Sequence, residues 1–386
     1  CGRGKAQNPE SLRDAMAVYV LNCLAGNVNQ DGGMWVNRPE NQIDWPAPRA
    51  DKAASAGLRQ PRFDGAGTGK YGNARHLLNH VADAITTNGP YPLQVLLVAG
   101  ANPCYTLHNA KAVRASLEQV PFIVSFSSFH DETAAMADLL LPDHMYLERY
   151  ADVPVTAGLP HPVLGLCRPV VSPQFNTRHL GEVLISLARR MGGTLSEAFP
   201  WDSYETCLHT TLADQWAALM KTGVWTQRGK GAVSTALKPA KMDFQAVPAA
   251  GDAAAFPLLL IPYDSLRVAS GPIGDPPFMI KAVEDTVIKG KDGFVEINPR
   301  TAGELDLKEG AAAKLTTPVG EARVRIHLSE GIKPGVIAMV RGLGHAAHDG
   351  FLAGKGVNVN ELIGPVADPS SGLDVAWGIR AALANA

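Results

Sequence analysis

A compact group of side chains able to exchange protons and hydrogen bonds lies near the middle of the chain. His130, Asp131, Glu132 and Thr133 follow the apolar run VPFIVSFSS, at the point where a strand would turn into a helix. Helix capping explains one or two of these four residues, since short polar and acidic side chains favour a helix N-terminus. A matching polar turn, GANPCYT at 100–106, follows the neighbouring apolar run. Polar turns after adjacent strands predict one shared ligand with several hydrogen-bonding groups.

A third polar cluster lies far along the chain, between Arg341 and Gly372, and reads RGLGHAAHDG, then GVNVN, then DPSSG. Its glycines permit close backbone approach, and Asn358 and Asn360 offer paired donors and acceptors. These segments are either ordinary barrel loops or the far side of the same ligand site. The second interpretation predicts that residues 99–104, 127–134 and 341–360 converge.

The elements that position the first two turns alternate between strand and helix. Residues 93–100 and 121–128 have the composition of buried strands, and 108–119 is an amphipathic helix between them. A short helix at 132–137 and a third strand at 138–142 follow. Strand, helix and strand at this spacing predict a parallel sheet, whose ligands bind beyond the carboxyl ends of the strands.

The remaining segments suggest how the chain is divided. Residues 11–26 have apolar positions at helical spacing, and 35–75 is a long irregular stretch rich in Pro and Gly. A helix at 176–192 is followed by a polar connection containing Trp. We therefore predict a helix plus an irregular segment at 1–90, belonging to the α/β region, and a Rossmann-like α/β domain at 91–250.

The pattern of predicted secondary structure changes at about residue 251. Short strand candidates separated by Gly or Pro turns continue to the end of the chain, with one helix at PRTAGELD. Many short strands with one or two helices predict a closed β-barrel domain at 251–386. The predicted fold class is thus α/β, with a parallel Rossmann-like domain followed by a C-terminal barrel.

Composition excludes several classes of protein. A net charge of −2, with 46% apolar and 19% charged residues, gives no reason to expect nucleic acid or an anionic membrane surface as partner. The five cysteines form no C-x-x-C pair, which argues against a local zinc or iron–sulfur site. No G-x-G-x-x-G follows the first strand, so an NAD dehydrogenase is disfavoured.

Four stretches together resemble the C-terminal half of the molybdopterin oxidoreductases, the DMSO-reductase family. LNCLAGNVNQDGG and VLLVAGANP are similar to two of its segments, and SSFHDETAAMADLLLPDHMYLE is similar to its ETA, AD and LP pattern. Residues 294–337 resemble its terminal cofactor-binding barrel, of the double-psi type. GLGH, NVNEL and DPSSG are similar to a branch of polysulfide-reductase-like enzymes and menaquinone-reductase molybdopterin-binding-like subunits.

The resemblance implies a molybdopterin guanine dinucleotide carrying Mo or W, held by loops at the strand ends. On the α/β side it implies cofactor contacts by Asn102, Cys104, Ser127, His130, Glu132, Thr133 and Asp138. On the barrel side it implies contacts by Tyr263, Ser270, His345, Asn358 and Asn360.

The family's iron–sulfur cysteine motif and its protein ligand to the metal are expected upstream of Cys1, so we predict no catalytic residue and no metal ligand here. We expect the chain to be a piece of something longer. A 4Fe–4S cluster would then belong to a missing upstream segment or to a partner. Either such a segment completes the catalytic centre, or the chain binds no cofactor and serves as a scaffold.

The implied function is that of a molybdopterin-type subunit of a respiratory electron-transfer complex, leaning towards menaquinone reduction. One alternative is a catalytic Mo or W reductase of sulfur or arsenic oxyanions, and another is a cofactor-free structural subunit. The implied partners are an iron–sulfur subunit, a multihaem cytochrome c and/or an integral membrane quinone-binding subunit. The implied location is the periplasmic face of a membrane, reached only through these partners.

Overall fold

The structure is a computed structural model, and it describes residues 11–35, 49–71, 74–155, 158–227, 247–265, 267–268, 281–347, 350–364, 366–369 and 371–386. The chain forms two compact units. The first is built mainly from Pro61–Leu140 and Met242–Ala386, and the second from Ala15–Gln60 and Leu141–Lys241. The predicted domain boundaries at residues 90 and 250 stay predictions.

The helices and strands follow one another along the chain. Within the described residues the α-helices are α1 (Ser11–Leu24), α2 (Lys52–Gly57), α3 (Val81–Thr86), α4 (Pro103–Thr106), α5 (Ala110–Leu117), α6 (Leu180–Met191), α7 (Gly193–Ala198), α8 (Tyr204–Thr222) and α9 (Pro299–Glu304). The 3-10 turns there are Gly69–Tyr71, Leu78–His80, Ala134–Met136 and Val359–Glu361. The strands there are β1 (Val95–Val98), β2 (Phe122–Ser125), β3 (Leu139–Leu140), β4 (Ala151–Val155), β5 (Val163–Cys167), β6 (Val224–Thr226), β7 (Leu258–Tyr263), β8 (Ile288–Lys289), β9 (Asp292–Ile297), β10 (Ala312–Thr316), β11 (Glu321–Leu328), β12 (Val336–Val340) and β13 (Ile379–Asn385).

The first unit begins with the predicted parallel sheet. Strands β1, β2 and β3 lie side by side in that order, and both pairings are parallel. Helix α5 is capped by Asn109, whose side chain accepts a hydrogen bond from the amide of Ala112. Val113 and Leu117 on its buried face pack with Ile123 of β2 in one apolar core. The carboxyl ends of β1 and β2 therefore open onto neighbouring loops.

The barrel of the first unit closes on itself. Its strand order is β11-β10-β13-β7-β12-β9, and β9 also pairs with β11, which makes a closed ring of six strands. Strand β7 buries alternate side chains, as a strand with one face towards a core does. Asn298 caps α9 by accepting from the Arg300 amide, and Pro299 begins that helix. The predicted barrel is confirmed, and α9 lies at the helix predicted from PRTAGELD.

The second unit contains an antiparallel sheet with the order β4-β5-β6. Leu164 and Leu166 of β5 pack against Leu208, Leu212 and Leu219 of α8. The sequence prediction of a polar connection after residue 192 is therefore wrong, since the 19-residue α8 lies there. The leucines of α8 recur at spacings of four and seven, and the polar residues between them hide that period.

Two further predictions need correction. The stretch 35–75 was expected to lack regular structure, but it contains α2, whose N-terminus is capped by the Asp51 side chain. Strand β1 was expected to be fully buried, yet the side chains of Val95 and Leu97 are about half exposed. Helices α3 and α5 cover the opposite face, where Val98 is buried. The predicted helix at 11–26 is confirmed as α1.

In the part of the chain that the structure describes, none of the helices combines the length and apolar character needed to cross a bilayer.

Candidate functional site

Three loops of the first unit meet around Asn102, which is fully buried at the N-terminus of α4. Its side-chain amide donates to Glu132 Oε2 at 2.7 Å. Its side-chain oxygen accepts from the Thr133 hydroxyl at 2.7 Å and from the Thr133 amide at 3.2 Å. The turn after β1 is thereby fixed to the turn after β2.

Glu132 extends this network to the loop after β12. Its carboxylate accepts from His345 Nδ1 at 3.1 Å and from the amide of Ala346 at 2.8 Å. Burial by itself raises the pKa of the Glu132 carboxyl, but the hydrogen bonds from His345 and Asn102 outweigh burial and hold that pKa well below its usual range. Glu132 is therefore an ionised carboxylate whose oxygens are occupied by protein donors.

Tyr105 joins the same loops from another side. Its ring stacks on the His345 ring, with centroids 3.8 Å apart and planes 10° from parallel. Its hydroxyl donates to the carbonyl of Leu343 at 2.8 Å. Its backbone carbonyl accepts from the side-chain amides of Asn358 at 3.1 Å and Asn360 at 2.9 Å. Residues 99–104, 127–134 and 341–360 therefore converge, as the sequence predicts.

We call this set the polar network; its members are Asn102, Tyr105, Glu132, Thr133, His345, Asn358 and Asn360, all of which are buried. Sequence reasoning named six of the seven as candidate site residues and missed Tyr105. Tyr105 lies in the quoted turn GANPCYT, but an isolated tyrosine gives no signal of stacking on a residue so distant in the chain.

The other predicted residues surround the polar network or lie apart from it. Cys104 is fully buried, and its amide donates to the Thr133 hydroxyl at 3.2 Å. The Ser127 hydroxyl donates to Asp131 at 2.9 Å. His130 is exposed, and its Nδ1 lies 3.4 Å from the carbonyl of Ala347.

Two predicted residues have partners within their own sheets. Asp138 is exposed and accepts a hydrogen bond from the Ile123 amide at 2.7 Å, which ties it to β2. The Tyr263 hydroxyl donates to Glu296 within the barrel, and burial, followed by that carboxylate, raises the pKa of Tyr263. Ser270 lies outside the described residues. Cofactor contact by any of the twelve predicted residues stays a prediction.

A second group of polar side chains in the same unit was not predicted, and we call it the His108 cluster: His108, Arg341 and Asp374. His108 Nδ1 lies 3.7 Å from Asp374 Oδ2, and Arg341 lies 3.8 Å from Asp264. Burial lowers the pKa of His108 to about 3, with the positive charge of Arg341 acting in the same direction. Burial also raises the pKa of Asp374 to about 7.

In the described part of the chain, the His108 cluster contains several buried hydrogen-bonding atoms without a protein partner. Among the described residues, His108 Nδ1, Arg341 Nε and Asp374 Oδ1 are buried atoms with no hydrogen-bond partner. In the polar network the Asn102 amide bonds the Glu132 carboxylate, and the amides of Asn358 and Asn360 bond the Tyr105 carbonyl. A pterin dinucleotide offers both donors and acceptors, so the unused atoms of the His108 cluster fit such a group. Arg341 begins the polar segment RGLGH, and His108 lies two residues after the turn GANPCYT. Neither residue belongs to a recognisable sequence motif.

No group of three or more His, Cys, Asp or Glu side chains within the described residues is arranged to hold a metal ion.

The amino-acid sequence matches two protein families. Residues 2–190 match the family described as Molybdopterin oxidoreductase, and residues 279–374 match the Molydopterin dinucleotide binding domain. The second match covers most of the barrel and includes Arg341 and Asp374. These domain types support a molybdopterin cofactor.

Curated relatives agree with these matches. The menaquinone reductase molybdopterin-binding-like subunit of Nitratidesulfovibrio vulgaris is 33% identical over 374 residues, which is 96% of this chain and 50% of that protein. The thiosulfate reductase molybdopterin-containing subunit of Salmonella typhimurium is 27% identical over 209 residues, 49% of this chain and 26% of that protein. The chain thus spans at most about half the length of these two relatives.

A solved structure supports the same fold. Acetylene hydratase from Pelobacter acetylenicus superposes with a TM-score of 0.66 at 19% identity, covering 81% of this chain and 47% of the hydratase chain. The two family matches together cover most of the sequence, from the parallel sheet to the closing loops of the barrel. The chain therefore belongs to the molybdopterin oxidoreductase family.

Proposed function

We propose that the chain is the molybdopterin-type subunit of a respiratory electron-transfer complex that reduces menaquinone. The observation that carries this proposal is the 33% identity to a menaquinone reductase subunit, which extends over 96% of the chain. Similarity that runs through both the α/β part and the barrel favours a common role more than similarity in one domain does. The word subunit in that relative's name also supports assembly with other chains.

The residues of this chain would contribute binding and orientation. The polar network locks the loops after β1, β2 and β12 together, which fixes the barrel relative to the parallel sheet. The His108 cluster would then present its unused donors and acceptors to the pterin dinucleotide. When bound, such a cofactor supplies a Mo or W centre able to take up or release two electrons, and the protein tunes its surroundings.

The partners and the location follow from the same proposal. The subunit would dock to an iron–sulfur subunit, a multihaem cytochrome c and/or an integral membrane protein that binds the quinone. It would lie at the periplasmic face of the membrane and reach the bilayer only through those partners. The guanine form of the cofactor is part of this proposal.

A second candidate function is catalytic reduction of a sulfur or arsenic oxyanion by a complete Mo or W site. Similarity to the thiosulfate reductase subunit favours it, as does 22% identity over 461 aligned positions to the arsenate respiratory reductase subunit of Chrysiogenes arsenatis. A third candidate is a cofactor-free structural subunit. The internal bonding of the polar network favours this third candidate, because Asn102, Glu132 and Thr133 are bonded to protein groups without a ligand.

The deciding experiment is to purify the native complex and measure three properties of it. Elemental mass spectrometry measures molybdenum and tungsten, fluorescence of the oxidised extract measures pterin, and a menaquinone analogue measures quinone reduction. We expect quinone reduction by a complex that contains pterin. Oxyanion reduction without quinone reduction would favour the second candidate. Quinone reduction with neither metal nor pterin would favour the third.

A further inference from the structure

We propose that an exposed apolar surface of the second unit is the docking site for a different protein chain, one that presents apolar side chains flanked by Asp or Glu. The surface, which we call the apolar ribbon, consists of residues 145–147 and 170–175. This inference rests on the proposed function in one respect, namely that the chain assembles with other subunits. It goes further by assigning a surface of this chain to that assembly and a chemistry to the partner.

Two segments from separate parts of the second unit lie side by side in the apolar ribbon. The amides of Val170 and Val171 donate to the carbonyl of Leu147 at 2.9 and 3.3 Å. Further along the same pair of segments, the Thr177 hydroxyl lies 2.7 Å from His144 Nδ1. The two segments therefore form one continuous surface.

Glu148 holds the two segments together. Its carboxylate accepts from the amide of Met145 at 2.9 Å and from the amide of Gln174 at 2.9 Å. Glu148 itself is buried, so these hydrogen bonds lie behind the surface. A backbone fixed from both segments has its shape before a partner binds, which lowers the ordering cost of association.

The side chains of the apolar ribbon are strongly exposed. Phe175 is 81% exposed, Val170 is 70% exposed and Tyr146 is 68% exposed. Single exposed apolar residues are ordinary on protein surfaces, but a contiguous group marks an interaction surface, and aromatic residues are enriched at interfaces. The large apolar side chains exposed on the ribbon are Met145, Tyr146, Leu147, Val170, Val171 and Phe175.

The available charges beside the apolar ribbon are positive. Arg168 and Arg178 are exposed, and each donates a hydrogen bond to an uncharged oxygen. Within the described residues neither guanidinium has a carboxylate partner. The nearby acids, Asp143 and Glu148, already accept hydrogen bonds from backbone amides. The surface therefore complements a partner whose apolar contact residues are flanked by carboxylates.

Two other occupants fit the apolar ribbon less well. A second copy bound through the same surface would pair the ribbon with itself, so it would offer no available carboxylate to Arg168 or Arg178. Anionic membranes are recognised by clusters of about four to eight Lys or Arg side chains, and these two arginines are too few. Charge complementarity thus favours a different, acidic chain.

The test replaces Phe175 by the photo-crosslinking amino acid benzoylphenylalanine in the full chain and irradiates the purified native complex. Mass spectrometry then identifies the attached peptide. We expect a peptide from a different subunit of the complex, with Asp or Glu close to apolar residues. The inference would be overturned by a cross-link to this chain itself, by a partner peptide without acidic residues, or by no cross-link in a complex that keeps all its subunits.

Charge variants of the full chain measure the contribution of the ribbon to affinity for the cross-linked subunit. Phe175→Asp and Arg178→Glu should each weaken binding at least tenfold, because they remove an apolar anchor and a complementary charge. Leu58→Asp is the matched control, since Leu58 is 80% exposed but lies outside the ribbon, and it should leave the affinity unchanged. Circular dichroism confirms folding of each variant.

Two results with these variants would contradict the inference. One is unchanged affinity in both ribbon variants. The other is binding of the full chain to phosphatidylglycerol vesicles that Phe175→Asp abolishes, which would assign the ribbon to a membrane. The proposed function is judged separately, by reduction of the menaquinone analogue. It would survive the failure of the ribbon if the native complex reduced that quinone, and it would fail alone if an acidic partner were cross-linked in a complex without quinone reduction.

Discussion

Glu132 and His345 lie 213 positions apart in the sequence, yet the carboxylate of one accepts a hydrogen bond from the imidazole of the other at 3.1 Å. Only 4% of the Glu132 side chain and 1% of the His345 side chain are exposed. The pair joins the loop after β2 to the loop after β12, so it connects the parallel sheet to the barrel within one compact unit. Substitutions at this pair should therefore change the free energy of unfolding of that whole unit.

Replacing Glu132 by alanine should destabilise the chain by about 3–5 kcal/mol, because it leaves the buried donors of His345, Asn102 and Ala346 unpaired. The measurement is the free energy of unfolding in urea. Glu309 provides a matched control, since it accepts from His327 Nδ1 at 3.2 Å but is more than half exposed. Glu309→Ala should cost less than about 1 kcal/mol. Equal costs would contradict the role given to burial.

Tyr105→Phe should cost about 1–2 kcal/mol, because it removes the hydroxyl that donates to the Leu343 carbonyl while keeping the ring stacked on His345. Urea unfolding again measures the loss. Tyr146→Phe is the control, since the Tyr146 side chain is largely exposed. No loss for Tyr105→Phe would mean that water replaces the hydroxyl at Leu343.

The His108 cluster should have an unusual effect on how stability depends on pH. In the folded chain, burial lowers the pKa of His108 to about 3 and raises that of Asp374 to about 7. In the unfolded chain the two pKa values are about 6.5 and 3.9. Between about pH 4 and 6.5, the folded pair holds one proton on Asp374 and the unfolded pair holds one on His108. Their contributions to the slope of stability against pH therefore cancel.

Replacing either residue alone should reveal the contribution of the other to the slope of stability against pH, and the two contributions should have opposite signs. In Asp374→Asn the unfolded chain binds one proton more than the folded chain, so stability should rise from pH 4.5 to 6.5 relative to the unsubstituted protein. In His108→Gln the folded chain binds one proton more, so relative stability should fall over that window. The limiting slope is about 1.4 kcal/mol per pH unit. Urea unfolding at three pH values measures it, and slopes of the same sign would refute the assignment.

Gly344→Ala should destabilise the chain by more than 2 kcal/mol. Its φ of +77° lies in the left-handed region, and an added Cβ would come 1.9 Å from the backbone nitrogen of Asn358. The control is Gly303→Ala in α9, where an added Cβ meets nothing within 4 Å and φ is not positive. The helix should tolerate that alanine or gain about 0.5–1 kcal/mol. Differential scanning calorimetry of both variants tests the prediction.

Local patterns in the sequence predicted most of the elements that carry the site. The strands β1, β2 and β3 follow from short apolar runs, and α5 follows from apolar positions at helical spacing with Asn109 as its cap. The spacing of apolar residues failed to predict two helices, α8 and α2. The segment of α8 was predicted to be a polar connection. Helix α2 lies in a stretch rich in glycine and proline, which was predicted to lack regular structure.

The sequence by itself determined the family, the parallel sheet, the barrel and the prediction that three polar segments converge. Only the tertiary structure decided what those segments do when they meet. The Glu132 carboxylate accepts from His345, Asn102 and Ala346, whereas His108, Arg341 and Asp374 keep hydrogen-bonding atoms unused. The physical reason is that periodicity reports which face of an element is buried, while hydrogen bonding depends on distances between atoms that the chain brings together from more than two hundred residues apart.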